Sequence, residues 1–188
     1  MDIFVLPRIF RHFITGVIGK HIVKMKERLE HLEALAQQKR AENRRFFAKL
    51  NKKPPKDLDY TMQRLHDDEF SRTDCLECAN CCKTTGPLFT SADIERIAHS
   101  FRMKPGQFIE RYLQQDEEED YVLQDLPCVF LGPDNRCSIY DIRPKACREF
   151  PHTDRKKFHQ ISHLTMKNMS ICPAAYAIVE AMKKQINA

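Results

Sequence analysis

Apolar residues recur at steps of three and four along the first part of the chain. From Ile9 to Leu32 the intervening members of this series are Phe10, Phe13, Ile14, Val17, Ile18, Ile22, Met25 and Leu29. Because this spacing places side chains on one helical face, it predicts a long amphipathic helix, or two shorter ones, ending at about Phe47. Gly16 and Gly19 weaken the prediction of one unbroken helix.

The segment NKKPPK, residues 51–56, ends this pattern. Neither proline can donate a backbone hydrogen bond, and each restricts the residue before it. We therefore divide the chain into a basic amphipathic helical arm with its linker, residues 1–57, and a cysteine-rich domain, residues 58–188.

Three further helices are predicted in the second domain. Thr90 stands three residues before Asp93 in TSADIERIAHSF, which is the spacing of a capping box. Pro105 suits the first turn of a helix in KPGQFIERYLQQ. The segment CPAAYAIVEAMKKQ is predicted to close the chain as a helix, with lysines near its C-terminal end where the helix dipole favours them.

Two short segments between these helices favour strands. YVLQD and CVFLGPDNRCSIY are predicted strands joined at the turn-forming residues Gly132, Pro133, Asp134 and Asn135. Together with the helices they predict an α+β fold that is mainly α, in which the arm precedes a small cysteine-rich domain with a short β-hairpin.

The charge of the chain is unevenly distributed. The formal net charge is +5, and residues 1–57 hold 14 basic and six acidic side chains. A basic amphipathic arm is compatible with nucleic acid or an anionic membrane, yet solvated helices often carry such charge. We therefore do not expect a nucleic-acid partner and do not favour peripheral membrane contact. We prefer docking of the arm onto the cysteine-rich domain, a protein partner or a second copy.

The N-terminal segment gives no sign of export. Pro7, Arg8, Arg11 and His12 interrupt the apolar run that a secretory signal needs. No stretch of about 18 apolar residues is present to span a bilayer. We expect a cytoplasmic protein with reduced thiols, in which a dense cysteine pattern indicates metal binding or catalysis before disulfides.

Four of the eight cysteines lie within the ten residues DCLECANCCK. The full set is Cys75, Cys78, Cys81, Cys82, Cys128, Cys137, Cys147 and Cys172. CxxC spacing allows one turn to present two sulfurs to a single ion, and Cys75, Cys78 and Cys81 repeat that step twice. Cys172, followed by a proline, is the candidate for a distant fourth ligand.

The neighbouring pair Cys81 and Cys82 suggests two sites. Adjacent α-carbons lie about 3.8 Å apart, which is shorter than ordinary disulfide geometry allows, so a bond between these residues would be strained. Neighbouring side chains on extended backbone point to opposite sides. One hypothesis is that Cys81 completes the loop site while Cys82 serves a second site with Cys128, Cys137 or Cys147. A single iron–sulfur cluster on the loop, with the other cysteines structural, is equally open.

These residues carry a resemblance to a known family. CLECANCC, then CVFLGPDNRCSIYDIRPKACREFP and a late CP, resemble the CxxCxxCC cysteine-cluster family of YkgJ-like zinc- or iron-chelating domains, over roughly residues 74–176. The resemblance implies metal chelation by all eight cysteines, with zinc or iron, including an iron–sulfur cluster, as the cofactor. Cysteine thiolates suit both metals, so the residues themselves do not choose between them.

The resemblance leaves open whether the chain is an enzyme. One branch of the family contains flagellin lysine N-methylases, so an iron–sulfur-dependent enzyme of that kind is one alternative. The glycines stand isolated at positions 16, 19, 86, 106 and 132, so no glycine-rich loop for a nucleotide or S-adenosylmethionine is present. A structural zinc module for protein–protein interaction is the other alternative.

Other candidate side chains have ordinary explanations. Arg143 and Arg148 could bind an anion or the cluster sulfurs, but we expect them to join the turn to nearby carboxylates. His152 and His159 could replace a ligand, yet eight cysteines satisfy two sites without them. The acidic run at 116–120 is expected to be a solvated loop.

Overall fold

The computed structural model describes the backbone of residues 8–186 and the side chains of residues 29–186. Its helices are α1 (Arg8–Lys52), α2 (Leu58–Phe70), α3 (Cys75–Cys78), α4 (Asn80–Thr84), α5 (Ser91–Ser100), α6 (Pro105–Tyr112), α7 (Lys145–Glu149), α8 (Ser162–Met169) and α9 (Pro173–Gln185). Strands β1 (Leu113–Gln115) and β2 (Tyr121–Leu123) and the 3-10 helices Tyr140–Ile142 and Phe158–Ile161 complete this part of the chain. The fold is α+β and mainly α, which confirms the predicted class.

The predicted arm forms one helix, α1, that passes through both glycines. The helix continues beyond Phe47 because Pro54 is the first residue that cannot donate to it, and the Lys53 N–H still bonds the Lys49 carbonyl at 3.2 Å. The apolar face predicted between Phe10 and Met25 lies outside the residues whose side chains are described. Across residues 8–186, no helix has both the length and the apolar character needed to cross a bilayer.

A first apolar cluster, which we call the helical core, joins the end of α1 to α2, α8, α9 and the second 3-10 helix. Its buried members are Phe47, Leu50, Leu58, Met62, Leu65, Phe158, Met169, Ile178, Val179 and Met182. Helix α9 contacts α1, α2 and α8, and α1 also contacts α3. Burial of this many large apolar side chains is the main source of stability for these helices.

A second cluster, which we call the aromatic core, lies under α5, α6 and the two strands. Its buried members are Phe89, Ile94, Ile97, Ala98, Phe108, Leu113, Leu123, Phe130 and Ile139. The rings of Phe108 and Phe130 are parallel within 2°, with centroids 6.3 Å apart, and Tyr112 packs 5.4 Å from Phe130. Cys128 and Cys137 pack against this core, so it supports part of the cysteine-rich region.

A short antiparallel hairpin is present, but its strands differ from those predicted. β2 contains the predicted YVL, and its partner is β1, with Leu113 opposite Leu123. The exposed acidic run 116–120 forms the turn between the two strands. The helix predicted to continue through residues 113–115 therefore ends at Tyr112, since pairing with β2 competes with the last helical turn.

The second predicted strand is replaced by a tight turn with one isolated bridge, between Leu131 and Cys137. The Gly132 N–H donates to the Arg136 carbonyl at 2.7 Å. A Cβ at Gly132 would lie 2.8 Å from Asp134 Oδ1 and 3.3 Å from the Arg136 carbonyl oxygen, so a larger residue would displace the Asp134 side chain. The ladder does not extend because the chain enters a 3-10 helix at Tyr140.

Candidate metal centre

The cysteine loop consists of two helical turns separated by one left-handed residue. Asp74 caps α3, since its Oδ1 accepts from the Leu76 N–H at 2.8 Å. Cys75 and Cys78 stand three apart on that turn, which places them on one face. Ala79 then adopts φ 47° and ψ 20° and starts α4 in a new direction, and α4 carries Cys81 and Cys82.

Four cysteines form a group that we call the first set: Cys75, Cys78, Cys81 and Cys172. Cys172 is the N-cap residue of α9, and the loop is held to it because Asn80 Nδ2 donates to the Ile171 carbonyl at 2.7 Å. The pKa of Cys172 is raised to about 11, chiefly by burial. Hydrogen bonds from backbone N–H groups at the start of α9 oppose the rise, and the charges of Cys78 and Cys75 add to it. These four thiols are therefore close enough to interact electrostatically.

The other four cysteines form the second set: Cys82, Cys128, Cys137 and Cys147. The Cys128 N–H donates to the Cys82 carbonyl at 2.8 Å, which joins α4 to the edge of the aromatic core. Burial raises the pKa of Cys147 to about 12, and the charges of Cys82, Cys128 and Cys137 contribute to the rise. Cys147 thus interacts with the other three members of its set.

The two sets meet at the adjacent pair, Cys81 and Cys82, whose sulfurs lie 4.0 Å apart. The Cys81 thiol stabilises the Cys82 thiolate by hydrogen bonding, burial opposes this, and Lys83 assists it, so the pKa of Cys82 falls to about 7. The pKa of Cys81 is raised, first because it donates this hydrogen bond and then because it is buried. The pair therefore loses its first proton readily and its second with difficulty.

Two residues of α5 hold the segment between Cys137 and Cys147 in place. Asp93 Oδ1 accepts from the Lys145 backbone N–H at 3.1 Å and from Arg96 Nη2 at 2.6 Å. The same Arg96 nitrogen donates to the carbonyls of Ile142 and Arg143, at 3.3 and 3.1 Å. The capping-box spacing identified Asp93 as the partner of Thr90, but no signal in the sequence indicated that it also fixes the start of the helix that carries a cysteine.

The two arginines of DIRPKACREFP donate to backbone carbonyls, so the expectation that they pair with carboxylates was wrong. Arg143 Nη1 bonds the Tyr140 carbonyl at 2.6 Å, and its guanidinium carbon lies 3.8 Å from the centroid of the Tyr140 ring. Arg148 Nη1 bonds the Arg143 carbonyl at 2.5 Å. Burial raises the pKa of Cys75, Cys137 and Cys147, and the charge of Arg143 opposes that rise in each, so this arginine lies near both sets.

The histidines near Cys147 are not joined to the cysteines by any hydrogen bond among the described residues. The buried His152 Nδ1 has no hydrogen-bond partner there and lies 3.9 Å from the Glu149 carboxylate. Burial lowers the pKa of His152, which keeps the ring neutral. His159 lies in the second 3-10 helix, next to the helical core.

The donor chemistry of the two sets fits a zinc or iron centre, since both metals bind thiolates. Within the described part of the chain, no three Cys, His, Asp or Glu side chains are already arranged to hold an ion. The eight cysteines are free thiols rather than disulfides. The structure therefore brings suitable ligands into one region without forming a finished coordination shell.

The concentration of cysteine thiols in one region is typical of a metal-chelating cysteine-cluster protein. The family model CxxCxxCC, described as "Putative zinc- or iron-chelating domain", matches residues 74–172, which is more than half of the chain. The chain belongs to this family. No match was found among curated proteins or among solved structures.

Proposed function

We propose that this protein binds two metal ions or clusters side by side, one with each set of cysteines. Cys75, Cys78, Cys81 and Cys172 would hold the first centre, and Cys82, Cys128, Cys137 and Cys147 the second. The observation that supports this division is that Cys172 interacts electrostatically with Cys78 and Cys75, whereas Cys147 interacts with Cys82, Cys128 and Cys137. Besides the adjacent pair, Cys75 and Cys82 also interact across the two sets. The expectation that these neighbours point to opposite sides was drawn for extended backbone and does not apply here, because Cys81 and Cys82 lie on the helical turn α4.

The bound metal would supply either a structural cross-link or, as iron, electron transfer. A dication held by four thiolates carries a net charge of −2, and two such centres side by side repel each other. Lys83 and Arg143 lie where their charge acts on the thiols of this region, so they would reduce that repulsion. The half-buried positions of seven of the cysteines limit, but do not abolish, contact with water.

Metal binding would also complete the local fold. The sulfurs must move into a common coordination shell, and they must lose protons that burial helps them keep. The short helices α3, α4 and α7 contribute no member to the helical core or to the aromatic core. Metal–thiolate bonds would therefore hold together elements that apolar packing does not.

The experiment is to measure zinc, iron and acid-labile sulfide per chain on protein purified without oxygen, with its visible absorption spectrum. Cys172→Ser should remove the metal of the first centre, and Cys147→Ser that of the second, each leaving about half of the total. Ser170→Ala, next to the first set but with every thiol intact, is the control and should retain all metal. Loss of all metal from either single variant, with the fold retained, would contradict two separate centres.

A second candidate is an iron–sulfur-dependent enzyme, such as a protein related to the lysine N-methylases. The observation that favours it is that Cys75 is exposed, whereas the other seven cysteines are half-buried. A first centre at this position would be open to a small molecule. A change in the visible spectrum of the iron-loaded protein on addition of azide would support an open position. Colourless protein with stoichiometric zinc would instead favour a structural module.

A further inference from the structure

We propose that this protein has a second binding surface, separate from the cysteines, for the phosphate backbone and bases of single-stranded nucleic acid. We call it the basic surface, and its members are Lys52, Lys53, Lys56, Arg155, Lys156, Lys157 and Tyr60. The two basic segments lie about a hundred positions apart in the sequence, so the fold is what brings them together. This inference does not depend on the metal centre, and it departs from the expectation that there is no nucleic-acid partner, which rested on the charge of residues 1–57 alone.

Hydrogen bonds place the loop before the second 3-10 helix at the junction of α1 and α2. The carboxylate of Asp59, in the first turn of α2, accepts from the backbone N–H groups of Lys157 at 2.7 Å and Phe158 at 3.1 Å. Ser162 Oγ donates to Asn51 Oδ1 at 3.0 Å, next to the end of α1. Residues 155–157 therefore lie beside Lys52, Lys53 and Lys56 at one end of the helical core.

Basic side chains outnumber the nearby carboxylates on this surface by six to three. All six basic side chains are exposed, and within the described residues none of them lies within 4.0 Å of a carboxylate. The nearby acids are Asp57, Asp154 and Asp59, of which Asp59 already accepts two backbone N–H groups. The like charges repel one another, and a polyanion that bridges them would relieve this repulsion.

An exposed aromatic ring distinguishes nucleic acid from a membrane as the partner. Tyr60 is 74% exposed and stands four residues after Lys56, in the first turn of α2. Bases of a single strand stack on such a ring while the backbone follows the cations. Of the large apolar side chains exposed in the described part of the chain, only Tyr60 lies on this surface, so no aliphatic group is available to enter a bilayer.

Binding is tested with the full-length, metal-loaded protein and a fluorescently labelled oligothymidylate, about 20 nucleotides long, followed by anisotropy. For six phosphate contacts, the logarithm of the association constant should fall with the logarithm of salt concentration with a slope of about −4. Simultaneous replacement of Arg155, Lys156 and Lys157 by alanine should reduce the slope to about −2. The matched control replaces Arg102, Lys104 and Arg111, three exposed basic residues on the aromatic-core side, and should leave affinity unchanged.

The aromatic contact has its own pair of variants. Tyr60→Ala should weaken binding by roughly tenfold, and Tyr60→Phe should bind as the parent protein does, because the stacking surface is kept. If the triple loop variant loses its helical circular dichroism, replacement of Lys52, Lys53 and Lys56 by glutamine gives the same test from the other segment.

Three outcomes would overturn the proposal. The first is the absence of salt-dependent binding to the oligonucleotide. The second is an equal loss in the control triple variant, which would indicate net charge rather than this surface. The third is retention on vesicles of phosphatidylcholine and phosphatidylserine without oligonucleotide binding, which would assign the surface to membranes.

Discussion

The helical core and the aromatic core differ in how far apolar packing alone can stabilise the segments around them. The helical core joins five elements with large apolar side chains and no cysteine. The aromatic core is built around Phe108 and Phe130, and its border continues into half-buried thiols, Cys128 and Cys137. We infer that apolar burial suffices for the first region, whereas the second relies on metal for its outer part.

The extent of the family match sharpens this difference. It covers residues 74–172, which include all eight cysteines and the whole aromatic core. Helices α1 and α2 precede it and α9 follows Cys172, so most of the helical core lies outside the match. The matched region is thus joined to these helices by the chain on either side of it and by Phe158 and Met169, which pack in the helical core.

The largest expected effect is that of metal removal. Structural zinc contributes about 10–16 kcal/mol of apparent binding free energy in small zinc-binding folds, so a strong chelator should disorder the cysteine-bearing segments. Hydrogen exchange should rise sharply at residues 75–84, 128–138 and 145–149 and only slightly in α9. The control is chelator already saturated with zinc. Equal loss of protection in α9 would show that the helical core also depends on the metal.

A matched pair of core substitutions compares the regions directly. Phe47 is 2% exposed in the helical core and Phe108 is fully buried in the aromatic core. Replacing either by alanine should lower the free energy of unfolding by about 3–5 kcal/mol. Phe108→Ala should also reduce metal per folded chain, because the segments that carry Cys128 and Cys137 lose their support, and Phe47→Ala should not. Equal metal content in the two variants would contradict this difference.

Asp93→Asn is expected to have an intermediate effect. A hydrogen bond to a charged group is worth about 1.5–3 kcal/mol, and this change removes the charge that holds Arg96 and the start of α7. The free energy of unfolding, measured with denaturant, and the metal content should therefore both fall, with the metal of the second centre lost first. Thr90→Ala is the control, since it removes the cap at a cost of about 1 kcal/mol and keeps the carboxylate. Full metal content in Asp93→Asn would contradict a positioning role.

Asp93 should also make the free energy of unfolding depend on pH. Burial raises the pKa of Asp93, but hydrogen bonds from Arg96, Thr90 and the Lys145 N–H outweigh it, so the pKa lies below its ordinary value of 3.8. Its contribution to stability is therefore present above pH 3.8 and is lost as the pH falls through the lower, folded value. Stability curves of the parent and Asp93→Asn proteins should converge at low pH. A constant difference down to the acid limit would contradict the assignment.

The smallest effect is expected in the hairpin turn. Glu117 and Glu118 are exposed, and changing both to glutamine should alter the free energy of unfolding by less than about 0.5 kcal/mol. Metal content should be unchanged, because the proposed ligands are all thiols. A loss of bound metal would show that the acidic run takes part in chelation after all.

Several structural features followed from short patterns in the sequence. The Thr90–Asp93 capping box, Pro105 in the first turn of α6 and the closing helix α9 with lysines in its last turn were each predicted and are confirmed, because the signals act within a few residues. The strand partner of Tyr121–Leu123 was predicted wrongly. Residues 113–115 have no strand signal of their own, and their pairing depends on the Leu113–Leu123 contact in the aromatic core.

The sequence by itself determined the kind of chemistry, since eight cysteines, four of them at CxxCxxCC spacing, leave few roles other than metal chelation, and the family match confirms that class. Tertiary structure decided which distant thiols lie near one another, and it placed the cations of residues 52–56 beside those of 155–157. It also gave Asp93 and Arg96 their role in fixing the start of α7. The physical reason is that ligand type and local helix signals are properties of neighbouring residues, whereas these groupings depend on how separate segments pack on two cores.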